Sequence, residues 1–187
     1  MATIGVLALQ GDFREHLAVV RRLGHSGREI RLPGDLEGVD GIIIPGGEST
    51  TIAKLATRFG MIEPLTSLIR DGMPTYGSCA GLIFCSVGVT RGDQVLLGVL
   101  DVVVERNAFG RQNESFETDL DIEGLAEPFH AVFIRAPWVE KVGGAVDVLA
   151  TVDDHPVMVR QDRIIGTSFH PELTGDDRIH EMLIEMI

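Results

Sequence analysis

The feature that most constrains this chain is an alternation in its first half. Short apolar runs without a polar face are each followed by a segment of helical period. Ile4–Leu9 (IGVLAL) is apolar on both faces, as a central strand of a parallel sheet covered by helices should be. Phe13, Leu17, Val20 and Gly24 follow at i, i+4, i+7 and i+11, a helix stripe ending in a glycine C-cap. Glu29–Leu32 alternates charged and apolar residues, like an edge strand. Gly41–Ile44 (GIII) is a second buried strand, with Pro45-Gly46-Gly47 behind it. Ile52, Leu55, Ala56 and Phe59 form the next helix stripe, closed by Gly60; Ile62, Leu65, Leu68 and Ile69 form another, closed by Gly72. Pro74–Gly77 reads as a short strand and Ala80–Val87 as a helix directly after it. This βαβα order predicts an α/β fold: a doubly wound, mostly parallel sheet with helices on both faces.

The second half adds strands that need not be parallel. Val95–Val104, Ser115–Leu120, Phe129–Ile134, Ala145–Val152, Val157–Arg160 and Ile164–Phe169 are strand-like, with Asp153-Asp154-His155-Pro156 as a turn. Ile179, Met182, Leu183 and Met186 make a last helix stripe, capped by Asp176 or Asp177. No repeat or linker interrupts the pattern, and 187 residues suit a single domain, 1–187, better than two poorly buried ones.

Composition narrows the function classes. A net charge of −12 leaves no basic footprint for nucleic acid or an anionic membrane. No apolar run approaches the ~18 residues of a membrane helix, and Met1-Ala2-Thr3-Ile4 lacks the basic start of a signal peptide. Cys79 and Cys85 make neither a disulfide framework nor a zinc signature, so no metal site is expected. A soluble cytoplasmic enzyme is the expectation.

Three segments place polar residues after strands, where open α/β sheets bind ligands. In Gly77-Ser78-Cys79-Ala80-Gly81, glycines flank a potential nucleophile by two residues on each side and permit a sharp strand-to-helix turn that exposes it. A thiol at a helix start favours its thiolate form, and the Ala80 N–H is placed to donate to an oxyanion. A buried cysteine in a tight turn fits the same segment. Cys85, within the helix pattern, reads as core. In Ser168-Phe169-His170-Pro171-Glu172, proline restricts His170 to extended backbone, which puts residues i and i+2 on one face. His170 and Glu172 can then act as base and orienter; a surface His–Glu pair is the plain alternative. His16, His25, His130, His155 and His180 read as structural or solvated. In Pro45-Gly46-Gly47-Glu48-Ser49-Thr50-Thr51, two glycines allow close backbone approach. Lys54 comes too late for a Walker-type phosphate loop. The segment is either a turn with Ser49 or Thr50 as N-cap or, beside the cysteine elbow, a second oxyanion donor at Gly47.

A cysteine elbow with a late His-x-Glu resembles the class I glutamine amidotransferases. Within them, Ala8–His16 (ALQGDFREH), Pro45–Thr50 (PGGEST), Arg106–Gln112 (RNAFGRQ), Phe133–Pro137 (FIRAP) and Phe169–Leu173 (FHPEL) resemble the glutaminase subunits of pyridoxal 5′-phosphate synthase, the PdxT/SNO family. The likeness runs in order along essentially the whole chain. Ser78 departs from the threonine expected before the cysteine but keeps a hydroxyl.

The resemblance implies hydrolysis of L-glutamine by Cys79 (nucleophile), His170 (base and acid) and Glu172 (orienter). It also implies that Gly47, Glu48, Ser49, Arg106, Ile134 and Arg135 bind glutamine, and that Gly47 and Ala80 form the oxyanion hole. The implied partner is a synthase subunit in a ring-shaped hetero-oligomer, met by the segment of Gln10, Arg14, Glu15 and His16, with no cofactor in the glutaminase. A related cysteine hydrolase, such as a peptidase or glyoxalase-like protein, would carry histidine after the nucleophile; here that residue is Ala80. Intact Cys79, His170 and Glu172 argue against a non-catalytic scaffold. A glutaminase serving another ammonia acceptor stays open.

Overall fold

A computed structural model describes residues 1–109 and 115–187. Along the chain run β1 (Thr3–Leu7), α1 (Phe13–Arg22), β2 (Ser26–Ile30), β3 (Gly41–Ile44), α2 (Ser49–Arg58), α3 (Ile62–Arg70), β4 (Thr75–Ser78) and α4 (Ala80–Cys85). The second half contributes β5 (Ser86–Val89), β6 (Leu100–Glu105), β7 (Ser115–Leu120), β8 (Phe129–Ile134), β9 (Trp138–Val142), β10 (Asp147–Val152), β11 (His155–Gln161), β12 (Ile164–Thr167) and α5 (Arg178–Ile184).

Seven strands form the main sheet in the order β10-β11-β12-β4-β3-β1-β2. β2, β1, β3, β4 and β12 pair in parallel, while β10 and β11 close one edge as an antiparallel hairpin. The doubly wound expectation therefore holds. The alternation of strand residues shows why: Ile42 and Ile44 enter the core under α2, α3 and α4, whereas Ile43 enters the opposite core with Leu17 of α1 and Ile179 of α5. Both faces are buried, so both must be apolar. From β1 the chain steps outward to β2, then returns to the other side as β3, and this reversal is where such sheets open a crevice. Two smaller sheets, β5-β6-β9 and β7-β8, flank the main one.

Several local expectations shift. The helix after Cys79 ends at Cys85, not Val87, because Ser86 turns extended (φ −62°, ψ 160°) and pairs with Leu100. The edge strand lies at Ser26–Ile30 instead of Glu29–Leu32, in register with Thr3–Leu7. Only Leu100 onward of the Val95–Val104 run is strand. Of the expected turn, Asp153 and Asp154 carry it at positive φ (49° and 65°), while His155 and Pro156 begin β11. Trp138–Val142 is a strand that no reading of the sequence foresaw; its partner is β6. Gly24, Gly60 and Gly72 stop their helices at positive φ (82°, 69° and 96°), as expected of C-terminal glycines. Among the described residues, no helix is long and apolar enough to cross a membrane.

Candidate active site

The carboxyl ends of β1, β3, β4 and β12 converge on one crevice. Cys79 stands between β4 and α4 with φ 50° and ψ −98°, a conformation that costs a non-glycine residue free energy and is kept only where its surroundings impose it. The surroundings do so here. The Cys79 N–H donates to the Thr167 carbonyl at 2.7 Å, and its carbonyl accepts the first helical bond from Ile83. A Cβ on Gly77 would lie 2.8 Å from the Gly81 backbone, and one on Gly81 would collide with the Ile44 carbonyl oxygen. The two flanking glycines are thus required by close packing of the elbow.

His170 follows β12, its N–H donating to the Val132 carbonyl at 2.9 Å. Its Nδ1 lies 2.7 Å from Oε1 of Glu172. The pairing is made by a 3-10 turn, Pro171–Leu173, and not by extended chain through Glu172. Burial alone would lower the His170 pKa, but its interactions with Cys79 and Glu172 outweigh that and push it up to about 10. Both partners thus act on the same ring, the sulfur from the pocket side and the carboxylate from behind it. The Ser78 hydroxyl approaches Oε2 of Glu172 at 3.4 Å, so the hydroxyl that serine shares with threonine is in use.

A pocket of about 390 Å³ opens in front of Cys79. Gly47, Glu48, Ser49, Cys79, Ala80, Arg106, Ile134, Arg135 and His170 all line it, together with Gln10, Asp12, Ile83, Asn107 and Pro137. Glu48 caps α2, accepting from the Thr51 N–H at 2.8 Å, and also meets the Arg106 guanidinium at 3.1 Å. Burial works to raise the Glu48 pKa, but hydrogen bonds from Thr50 and Thr51 hold it below the ordinary carboxylate value. Glu48, not Ser49 or Thr50, is the N-cap. The glycine loop is pinned from the first segment: Gln10 Oε1 accepts the Glu48 N–H at 2.8 Å, and the Gly46 carbonyl accepts the Asp12 N–H at 3.2 Å. A Cβ on Gly46 would come within 2.5 Å of the His170 ring, and one on Gly47 (φ 145°) within 2.5 Å of Gln10.

The model of the SNO glutamine amidotransferase family matches residues 6–187. This chain belongs to that family. It is 56% identical to the pyridoxal 5′-phosphate synthase subunit PdxT of Parafrankia sp. over 187 residues, covering 98% of this chain and 92% of that one. Against the PdxT subunit of Streptomyces coelicolor the identity is 54%, covering 98% and 93%. A crystal structure of a glutamine amidotransferase, 50% identical, superposes with a TM-score of 0.94 over 98% of this chain and 97% of that one.

In this amidotransferase, every residue named from the sequence as nucleophile, base, oxyanion donor or glutamine contact lies in or directly behind one pocket. The proposed partner segment divides. Arg14 and Glu15 are exposed, whereas Gln10 lines the pocket and His16 is wholly buried. His16 thus presents no surface to a partner: it occupies the inner face of α1, between Tyr76 and His180. Asp12, Asn107 and Pro137 went unassigned; Asn107, like Arg135, stands at positive φ (49° and 42°), which a sequence does not announce. Of the RNAFGRQ motif, Gly110, Arg111 and Gln112 lie outside the described residues. Among the described residues one group has metal-ligand spacing, Asp12, His170 and Glu172 within 4.8 Å. An ion there would have to break the 2.7 Å His170–Glu172 bond.

Proposed function

We propose that this chain is the glutaminase subunit of a pyridoxal 5′-phosphate synthase, hydrolysing L-glutamine to L-glutamate and ammonia for a synthase partner. The observation that carries the chemistry is the shared pocket: Cys79 on a strained elbow, with His170 beside it and Glu172 2.7 Å behind. The full-length likeness to PdxT subunits supports the acceptor pathway over another one.

The Cys79 thiolate attacks the side-chain amide carbon of glutamine. The N–H groups of Gly47 and Ala80 hold the resulting oxyanion, each such donor contributing ~10²–10³-fold. His170 gives its proton to the amide nitrogen, the C–N bond breaks, and ammonia leaves a thioester on Cys79. The now neutral His170 takes a proton from water, which attacks the thioester; collapse expels the sulfur and releases glutamate. Proton transfer of this kind contributes ~10²–10⁴-fold, and the route needs no metal or organic cofactor. Arg106 offers its guanidinium to the α-carboxylate, its partner Glu48 complements the α-ammonium, and Ser49, Ile134 and Arg135 complete the contacts.

The subunit works as one domain, 1–187, since β12 of the second half pairs directly with β4 of the first within one seven-stranded sheet. It acts in the cytoplasm within a ring-shaped assembly of synthase subunits. Exposed Arg14 and Glu15 meet the synthase, and the contacts from Gln10 and Asp12 to the glycine loop offer a path by which docking sets the Gly46–Gly47 peptide for catalysis. A hundredfold activation requires about 2.7 kcal/mol of differential binding. The test is ammonia release at saturating glutamine, titrated with the synthase subunit. Release that rises to a plateau at one synthase per chain is expected. No release at any ratio overturns the reading.

A further inference from the structure

Glu172 has two carboxylate oxygens, and the triad uses only Oε1. Oε2 faces the interior, where the side chain is fully shielded from solvent. It meets the Ser78 hydroxyl at 3.4 Å and Nε2 of His16 at 3.6 Å. His16 is itself completely buried, packed edge-on to Tyr76 and against His180 of α5, whose Nε2 lies 2.9 Å from His16 Nδ1. Among the described residues His16 Nε2 has no hydrogen-bond partner other than this approach to Glu172. A buried polar atom left without a partner is costly, so its direction is informative.

We propose that His16 is a positioning residue of the catalytic triad, donating its Nε2–H to Oε2 of Glu172 in the tautomer fixed by His180. Two ring nitrogens 2.9 Å apart must share one proton between them. If His16 donated from Nδ1, its Nε2 lone pair would face the carboxylate, acceptor against acceptor, in a site closed to water. If His180 donates from its Nε2, the proton of His16 sits on Nε2 and points at Oε2. Only this arrangement satisfies both contacts with uncharged rings. A doubly protonated His16 is opposed by burial and by repulsion from His180 and His170. The remaining titratable neighbours are Tyr76 and Glu172 around His16, and Asp177 and Arg22 on the far side of His180.

The consequence is mechanical. Without His16, Oε2 keeps only the long contact from the Ser78 hydroxyl, which the Phe169 carbonyl shares at 3.3 Å, and the carboxylate is freer to turn about its last bond and lose its line to the imidazole. Held at both oxygens, it keeps the His170 ring in the plane from which Nε2 reaches the substrate. Hydrogen bonds in catalytic networks are often long without substrate and tighten with it, which fits the 3.6 Å spacing. The role rests on the glutaminase reading, but the proton's position does not, so the two are tested separately.

The tautomer is read directly by long-range ¹H–¹⁵N correlation spectra of the full wild-type chain. The expected pattern is protonated Nε2 and bare Nδ1 on both His16 and His180; a His16 protonated at Nδ1, or at both nitrogens, overturns the proposal. Glutamine hydrolysis in the presence of the synthase subunit supplies the second arm. His16→Phe keeps the ring shape without the donor, and His16→Gln puts an amide N–H where Nε2 sits. His16→Phe should lower kcat by about tenfold or more with an unchanged KM, and His16→Gln should recover most of the loss. Wild-type kcat in folded His16→Phe, or no recovery in His16→Gln of equal melting temperature, contradicts it. Should His16→Phe not fold, the tautomer decides alone; should the wild type not hydrolyse glutamine, the glutaminase reading fails and the tautomer still answers.

Discussion

Helix α4 has a buried cysteine at each end, Cys79 only 7% exposed despite its elbow, and their surroundings differ in backbone, neighbours and access to the pocket. Cys79, just before the helix, has left-handed backbone, lines the pocket and sits beside a histidine whose pKa is pushed up to about 10. Cys85, the last helical residue, is 1% exposed within the apolar core, and burial pushes its thiol up to about 12. On the proposed function the first reacts, whereas the second packs. Residue type is the same; what differs is position relative to the strand ends, where backbone donors and the histidine converge.

The largest effect expected from breaking this contrast is at Cys79. Cys79→Ala should cut glutamine hydrolysis by at least about a thousandfold while leaving the melting temperature and synthase binding intact, as measured by ammonia release and a pull-down. Glu172→Gln should come next, lowering kcat by about a hundredfold with little change in KM; a change in KM alone would make Glu172 a binding residue. Arg106→Ala should show the opposite split. Loss of a charge-assisted contact should raise KM by about ten- to a hundredfold with kcat largely kept, read from initial rates against glutamine concentration. Cys85→Ala sharpens the comparison from the other end. It should lower stability by about 1 kcal/mol in urea unfolding and leave turnover unchanged.

What the sequence announced, it announced through local constraints. The elbow was legible because Gly77 and Gly81 flank Cys79 at fixed offsets, and both prove to be sites with no room for a side chain. The His170–Glu172 pair was legible as a spacing but not for the reason expected: a 3-10 turn, not extended chain, brings the two side chains together. The doubly wound sheet followed from runs such as Ile42–Ile44, whose residues enter opposite cores in turn. Tertiary partnerships left no such trace. Nothing in the spacing of Glu48 and Arg106 foretells that they pair across the pocket mouth. His16 fits a helix stripe equally well as a surface or a core residue, and only the packing of α1 against α5 and β4 brings it to Glu172. Trp138–Val142 carries charges at Glu140 and Lys141, and its strand exists because β6 offers it an edge.

The most direct test of the central claim is to label the chain, with the synthase subunit present, using a diazoketone analogue of glutamine and map the adduct by peptide mass spectrometry. The account predicts a single adduct on Cys79, prevented by excess L-glutamine and accompanied by complete loss of ammonia release. An adduct on Cys85, or hydrolysis that survives stoichiometric labelling of Cys79, would contradict it.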